Sequence, residues 1–432
     1  MTTSLDAAAT AGPHDTHFAL SQRGLRAEAS PIRRLSPHAE AAKSRGVEVL
    51  HLNIGQPDIA TPQVMLQAYQ TFAGPVLAYG ASEGALPYRQ DLATYYNTLG
   101  ADKAGTAITA ADILITVGGS EALMFAVAAT CDPGDEVLVC EPYYPNYKGY
   151  AHILAVGARA VTTTAAAGFH PKAADIAAAI GPRTRLLMLS SPGNPSGAVL
   201  SSAELQAIAQ VCRDKGVFLV SDEVYRDFVY DAHVTEGGAT SPSLLSLKGF
   251  DELAIVIDSV SKRYSACGAR VGCLVTRNRG LYASALKFAQ TRLSPPVVDQ
   301  LAARAALHTP PEELRAAIDE YRHRRDALVA ALATIPGVSA QTPEGAFYLM
   351  VHLPVDDAER FCIWMLAEYP ALAQAAGLPA ETVMLAPGDG FYTDPALGRH
   401  QVRAAYVLEV PKLLRAAEIL RRGLALYPGR LP

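Results

Sequence analysis

The sequence predicts an α/β protein, with a large domain built on a mainly parallel sheet flanked by helices and a smaller α+β domain beside it. Between about residues 110 and 300, short apolar runs alternate with helix-length amphipathic segments, the pattern of a parallel sheet covered on both faces. After about residue 305 that alternation gives way to a long charged helical stretch, two apolar strands and a closing helix. The 432 residues also exceed one ordinary core, so a second domain is expected.

In chain order, residues 1–25 read as a flexible tail, rich in Ala and Thr and carrying Asp6 and Asp15, without the basic start and apolar block of a signal peptide. Residues 26–62 are expected to contribute to the small domain, 63–304 to form the large domain and 305–432 the rest of the small one. In the large domain, short runs of branched apolar residues predict strands at 113–117, 136–140, 185–189, 217–220, 253–257 and 272–275. Helical periodicity predicts helices at 120–129, 202–214 and 281–290. Beyond 305, the pattern predicts a long helix at 311–333, strands at 347–351 and 402–407, and a closing helix near 411–426.

Half of the residues are apolar and the formal net charge is only −5, which gives no electrostatic reason to expect nucleic acid or an anionic membrane as partner. No apolar run reaches the ~20 residues that cross a bilayer. The six cysteines, at 131, 140, 212, 267, 273 and 362, form no C-x-x-C pair and mostly fall in apolar stretches, as reduced thiols do, so neither disulfide nor metal site is expected. A cytoplasmic protein acting on small molecules is the expectation.

In open parallel sheets ligands bind outside the carboxyl ends of the strands, so polar motifs at those ends carry weight. The run 253–257 delivers Asp258-Ser259-Val260-Ser261-Lys262 into a small, hydroxyl-rich loop. Loss of hydration there favours the neutral amine, the form that attacks a carbonyl; a lysine at a strand end can equally be a solvated charge. The run 113–117 leads into Gly118-Gly119-Ser120-Glu121, where amides at a helix start suit a phosphate, although such a turn can be only a turn. The run 185–189 leads into the Pro- and Gly-rich loop that presents the Asn194 amide, either to a ligand or to its own backbone. The run 217–220 ends at Asp222, a carboxylate that needs a cationic partner if buried and caps a helix if not.

The spacing of Ser-x-Ser-Lys262 with Arg270 eight residues on, inside Gly268-Ala-Arg-Val-Gly272, resembles the lysine motif of the class I and II, fold type I aminotransferases that use pyridoxal 5′-phosphate. The resemblance spans roughly residues 30 to 428 and implies a seven-stranded sheet. It implies that Lys262 forms the Schiff base with the cofactor and then moves the proton, that Asp222 pairs the pyridine nitrogen, and that Asn194 and Tyr225 donate to the phenolate oxygen. Gly119, Ser120, Ser259 and Arg270 would hold the phosphate, and Tyr144 would stack on the ring. Gly55, in the loop Asn53-Ile-Gly-Gln-Pro57, and Arg403 would meet the substrate carboxylate, with Asn194. Tyr79 would reach the phosphate of a neighbouring subunit, which implies a homodimer with shared active sites.

The expected reaction is transamination from an L-amino acid to a 2-oxo acid. The stretches 259–272, 384–388 and 403–408 most resemble bacterial aspartate aminotransferases, making aspartate with 2-oxoglutarate the first expectation. A C–S β-lyase or other eliminase would use the same Lys, Asp and Arg. Two serine chemistries also have a foothold. Ser259-Val-Ser-Lys262 fits S-x-x-K but lacks the S-D-N and K-T-G elements, and Gly80-Ala-Ser82-Glu-Gly84 fits a nucleophile elbow with His400 as base.

Overall fold

The computed structural model describes residues 19–230 and 240–432. Strand β1 (Glu48–His51) precedes the seven strands of the large sheet: β2 (Ile113–Val117), β3 (Glu136–Glu141), β4 (Gly157–Thr162), β5 (Thr184–Ser190), β6 (Phe218–Asp222), β7 (Ala254–Ser259) and β8 (Val271–Val275). They lie in the order β2-β8-β7-β6-β5-β3-β4. Only β8 runs against its neighbours; the other six share one direction. Helices cover both faces, and the side chains of β2 alternate between two separate cores, Ile113 and Ile115 in one and Leu114 in the other.

Five more strands complete the chain: β9 (Ser339–Ala340), β10 (Tyr348–His352), β11 (Glu381–Met384), β12 (Ala386–Pro387) and β13 (Gln401–Ala405). Strands β12-β13-β10-β9 form an antiparallel sheet, and β1 pairs in parallel with β11, tying the N-terminal segment to the C-terminal part. A third core lies here, with Phe347, Phe361, Tyr406 and Leu413 fully buried.

The predicted strands and helices are present with ends moved by a few residues, and Pro311–Ala333 has the expected bounds. Its start carries Pro311 and then Glu312 and Glu313 in the first turn, as a helix dipole favours. The helix Ser202–Lys215 opens on a Ser201/Glu204 capping box and closes on left-handed Gly216. Strand β4 was not predicted. It is an edge strand of sequence GARAVT in which only Val161 is buried, so it lacks an apolar run. Of residues 1–25, positions 1–18 lie outside the described residues, while Gln22–Leu25 form a helical turn from which Arg23 donates to the Ile153 carbonyl at 2.8 Å. Among the described residues no helix is long and apolar enough to cross a membrane.

One contact joins distant segments and carries a titratable group. His170 lies between Glu204 (2.8 Å) and Glu344 (3.1 Å), and Glu344 also accepts from the Val199 amide. The bond to Glu344, aided by the charge of Glu204, pushes the imidazole up to about 9 against the effect of burial. A raised histidine pKa contributes stability that is fully present below the ordinary value of 6.5 and is lost as pH rises through about 9. The urea midpoint of the protein is therefore expected to fall between about pH 6.5 and pH 9, and to fall distinctly less in His170→Ala. Equal falls in the two proteins would show that this contact does not contribute.

Candidate active site

Because six strands share a direction, their carboxyl ends lie on one rim of the sheet, and antiparallel β8 brings its first residues to the same rim. The register shows it: Val117 is opposite Val271, Ser259 opposite Gly272, and Ser190 opposite Asp222. Glycines 118 and 119, Ser190, Asp222, Ser259 and Arg270 thus converge although up to 152 positions separate them (270 − 118). All of these but Gly118 line a cavity of about 590 Å³, together with Gly55, Ser120, Tyr144, Asn194, Tyr225, Lys262, Tyr348 and Arg403. Every residue that the resemblance assigned to the site lines this cavity except Tyr79, which is 81% exposed elsewhere.

At the sheet end, the chain is shaped to hold an anion. Gly118 has φ +70°, and a Cβ there would stand 2.5 Å from Arg270 Nη2. A Cβ on Gly272 would stand 2.6 Å from the Gly118 carbonyl carbon and the Gly119 nitrogen, so only glycine lets β8 pack this tightly against the turn. The turn opens the 13-residue helix Gly118–Thr130, whose first amides carry partial positive charge. Arg270 is held in the left-handed region (φ 53°), a strained conformation for a non-glycine residue, and donates to the Cys267 carbonyl at 3.1 Å. Ser259 caps the following turn: its Oγ accepts from the Ser261 amide at 3.2 Å and donates to the Val271 carbonyl at 2.9 Å.

Asp222 is 5% exposed, and the Tyr147 hydroxyl donates to it at 2.7 Å. Burial pushes its carboxyl up to about 6, against the opposing effect of Tyr147. No cation among the described residues pairs with it, so the site asks for a positive group from a ligand. Tyr147 was not found from sequence. It belongs to the helix Asn146–Ile153, and nothing local distinguishes it from a core tyrosine.

Lys262 donates to the Gly55 carbonyl at 2.9 Å and to Cys267 Sγ at 3.7 Å, and no carboxylate partner is present among the described residues. The short turn that carries it, Val260–Arg263, is bracketed by a buried ion network. Arg263 pairs with Asp258 at 3.1 Å and with Asp227, and Arg226 pairs with Asp258 at 2.6 Å and Glu223 at 3.0 Å. Such a network holds the backbone of the turn in place; removing one partner would leave a buried charge unpaired. Sequence reading passed over it because its members come from separate strand ends.

Arg403 donates to Asn194 Oδ1 at 3.0 Å and to the Asn53 carbonyl, while its buried Nε has no partner. Its guanidinium lies 4.4 Å from the centroid of Tyr348. Engaging Asn194 by its oxygen leaves the amide NH2 as the end that can donate to a ligand. Tyr225 shares a hydrogen bond with Tyr348 at 2.8 Å, a partner that the sequence did not reveal, and Tyr144 accepts from Asn146 at 2.8 Å.

The serine readings find no support in this geometry. Ser259 bonds Ser261 and Val271 rather than Lys262. Ser82 lies in the turn before the helix Leu86–Thr98, off the strand ends and away from the cavity, while His400 faces the Val355 carbonyl at 2.7 Å.

The donor set fits pyridoxal phosphate: an anion cradle of glycine, serine and arginine, a buried carboxylate suited to a cationic ring, and a lysine that makes no ion pair among the described residues. The family model described as aminotransferase class I and II matches residues 47–408. The chain is 35% identical over 319 residues to the arginine–pyruvate transaminase of Pseudomonas aeruginosa, which covers 73% of this chain and 78% of that protein. It is 32% identical over 321 residues to an aspartate aminotransferase of Rhizobium meliloti, covering 74% and 76%. The fold matches the aspartate aminotransferase of Thermus thermophilus solved with maleate at a TM-score of 0.81 and 27% identity, over 94% of this chain and 100% of that one. With the cavity chemistry and these likenesses in agreement, the chain belongs to the class I and II aminotransferases and is a transaminase dependent on pyridoxal 5′-phosphate.

Proposed function

We propose that the protein transfers the amino group of a dicarboxylic L-amino acid, aspartate first, to 2-oxoglutarate. The observation that carries this reading is the charge around the cavity. Among the described residues its lining holds Arg33, Lys262, Arg270 and Arg403 against a single carboxylate, Asp222. A phosphate and one substrate carboxylate engage Arg270 and Arg403, which leaves a surplus cation for a second carboxylate. One relative acts on arginine and another on aspartate. A guanidinium side chain would meet no carboxylate in this lining besides Asp222, which is committed to Tyr147. The Thermus relative was solved with maleate, itself a dicarboxylate.

Bound pyridoxal phosphate supplies an aldehyde for the amine and an electron-accepting ring. In the proposed division of labour, Gly119, Ser120, Ser259 and Arg270 hold its phosphate, Tyr144 covers the ring, and Asp222 keeps the ring nitrogen protonated. Asn194 and Tyr225 donate to the ring oxygen. Gly55, with Asn194 and Arg403, orients the substrate carboxylate, Arg403 as a fork, and so presents the α-hydrogen to Lys262. Lys262 would take up that proton at Nζ and serve as the base that gives it back during the transfer.

The same proposal takes the protein as a cytoplasmic homodimer. Val76, Leu77 and Tyr79 are 72%, 63% and 81% exposed, and Gly80 beside them packs on Val297, near exposed Leu293 and Leu301. A second copy covering this apolar patch would bring its Tyr79 towards the phosphate. The test of the reaction is direct. Aspartate added without an acceptor to the loaded enzyme is expected to change the cofactor's absorbance and release oxaloacetate. Conversion of arginine but not aspartate overturns the substrate, and pyruvate with ammonia from one substrate would mean elimination instead.

A further inference from the structure

We infer that Arg33 receives the side-chain carboxylate of the substrate, an inference that rests on the dicarboxylate reading above. Arg33 lies on a strap, residues 30–35, of which Ser30, Ile32 and Arg33 line the cavity beside Lys262 and Arg403. The strap is fixed on both sides of Arg33. Pro31 is buried against Gly390, where any Cβ would collide with its ring, and the Ile32 carbonyl accepts from Asn53 Nδ2 at 2.9 Å. Arg34 pairs with Glu359 at 2.7 Å and Asp389 at 2.6 Å, and Leu35 is in the core.

Arg33 differs from its neighbour Arg34 in two respects: it is exposed, and it makes no ion pair among the described residues. A guanidinium hydrated at the mouth of a cavity costs little to keep, and it gains charge-assisted hydrogen bonds once a carboxylate arrives. The joint that positions it is also the joint of the other carboxylate site. Asn53 is fully buried; its side chain holds the strap at Ile32 and its backbone carbonyl accepts from Arg403. One residue therefore registers both guanidinium groups, so that a short dicarboxylate can bridge them: the inner end on Arg403, the outer on Arg33. The remaining cations are otherwise committed, Arg270 at the anion cradle and Lys262 at the reacting centre.

The test uses the loaded enzyme and two unreactive carboxylates, succinate and propionate, whose dissociation constants are measured by calorimetry. The wild type is expected to bind succinate more tightly than propionate. Arg33→Gln is expected to weaken succinate by about 10- to 100-fold, the range of a charge-assisted bond, while moving propionate by less than about 2-fold. Arg33→Lys is expected to recover part of the loss, because it restores the charge without the fork. A wild type with no preference for succinate defeats the dicarboxylate reading itself. A wild type that prefers succinate, with Arg33→Gln keeping that preference, leaves that reading standing and overturns the role of Arg33. Equal weakening of both ligands does so too.

Discussion

Lys262→Ala is expected to end turnover, with a loss of at least about 10⁴-fold in kcat, the upper range for removing a positioned proton-transfer group. The loss is expected without unfolding. Lys262 makes no ion pair among the described residues, and its Nζ bonds are to the Gly55 carbonyl and the Cys267 sulfur. Truncating it removes two hydrogen bonds at the cavity and leaves the Asp258–Arg263 bracket of its turn untouched. Thermal midpoints of the two proteins should therefore lie within a few degrees, while borohydride is expected to fix the cofactor to this peptide in the wild type and to label nothing there in the variant. Near-wild-type turnover in the variant would defeat the assignment of the whole site.

Asp222→Asn carries the second large effect, and it has opposite signs for activity and for stability. Removing the partner of a buried cation typically costs about 3–5 kcal/mol, so kcat/KM should fall by about 10²- to 10⁴-fold, with weaker retention of the cofactor. The cofactor-free protein should behave the other way. Burial raises the Asp222 carboxyl to about 6 from an ordinary value of 3.8. An acid whose folded pKa is raised costs stability once it ionises, so the penalty is absent below about pH 4 and complete above about pH 6. At pH 7 the variant without cofactor is expected to be more stable by on the order of 2–3 kcal/mol, read from urea unfolding, and the gain should vanish near pH 4. A variant less stable at pH 7 would mean that the Tyr147 bond outweighs the burial of the charge. The geometry fits a strained site whose cost is relieved when a cationic ring binds.

Much of this was legible along the chain because the relevant physics is local. Branched apolar runs mark strands that are buried on both faces, and the polar residues directly after each run must lie at a strand end. That logic marked Gly119, Asn194, Asp222 and Lys262 as candidates, and the resemblance to the aminotransferase lysine motif decided between a ligand role and a merely structural one. It failed at β4, where an edge position removes the demand for apolar residues on both faces, and it could not give the direction of β8, since a strand pattern reads alike either way.

By itself the sequence determined the fold class and the strand ends that line the cavity, since periodicity and the cost of burying unpaired polar groups act within a few residues, and its resemblance to a known motif singled out Lys262 among them. Only the tertiary structure showed how distant groups meet in the cavity and which partners no motif had named. The reversed β8 brings Arg270 back to the rim; Tyr147 reaches Asp222 from 75 positions away, Tyr348 meets Tyr225 across 123, and Asn53 joins the strap of Arg33 to Arg403 across 350. Hydrogen bonds and ion pairs of a few ångströms are indifferent to separation along the chain, so no local pattern records them.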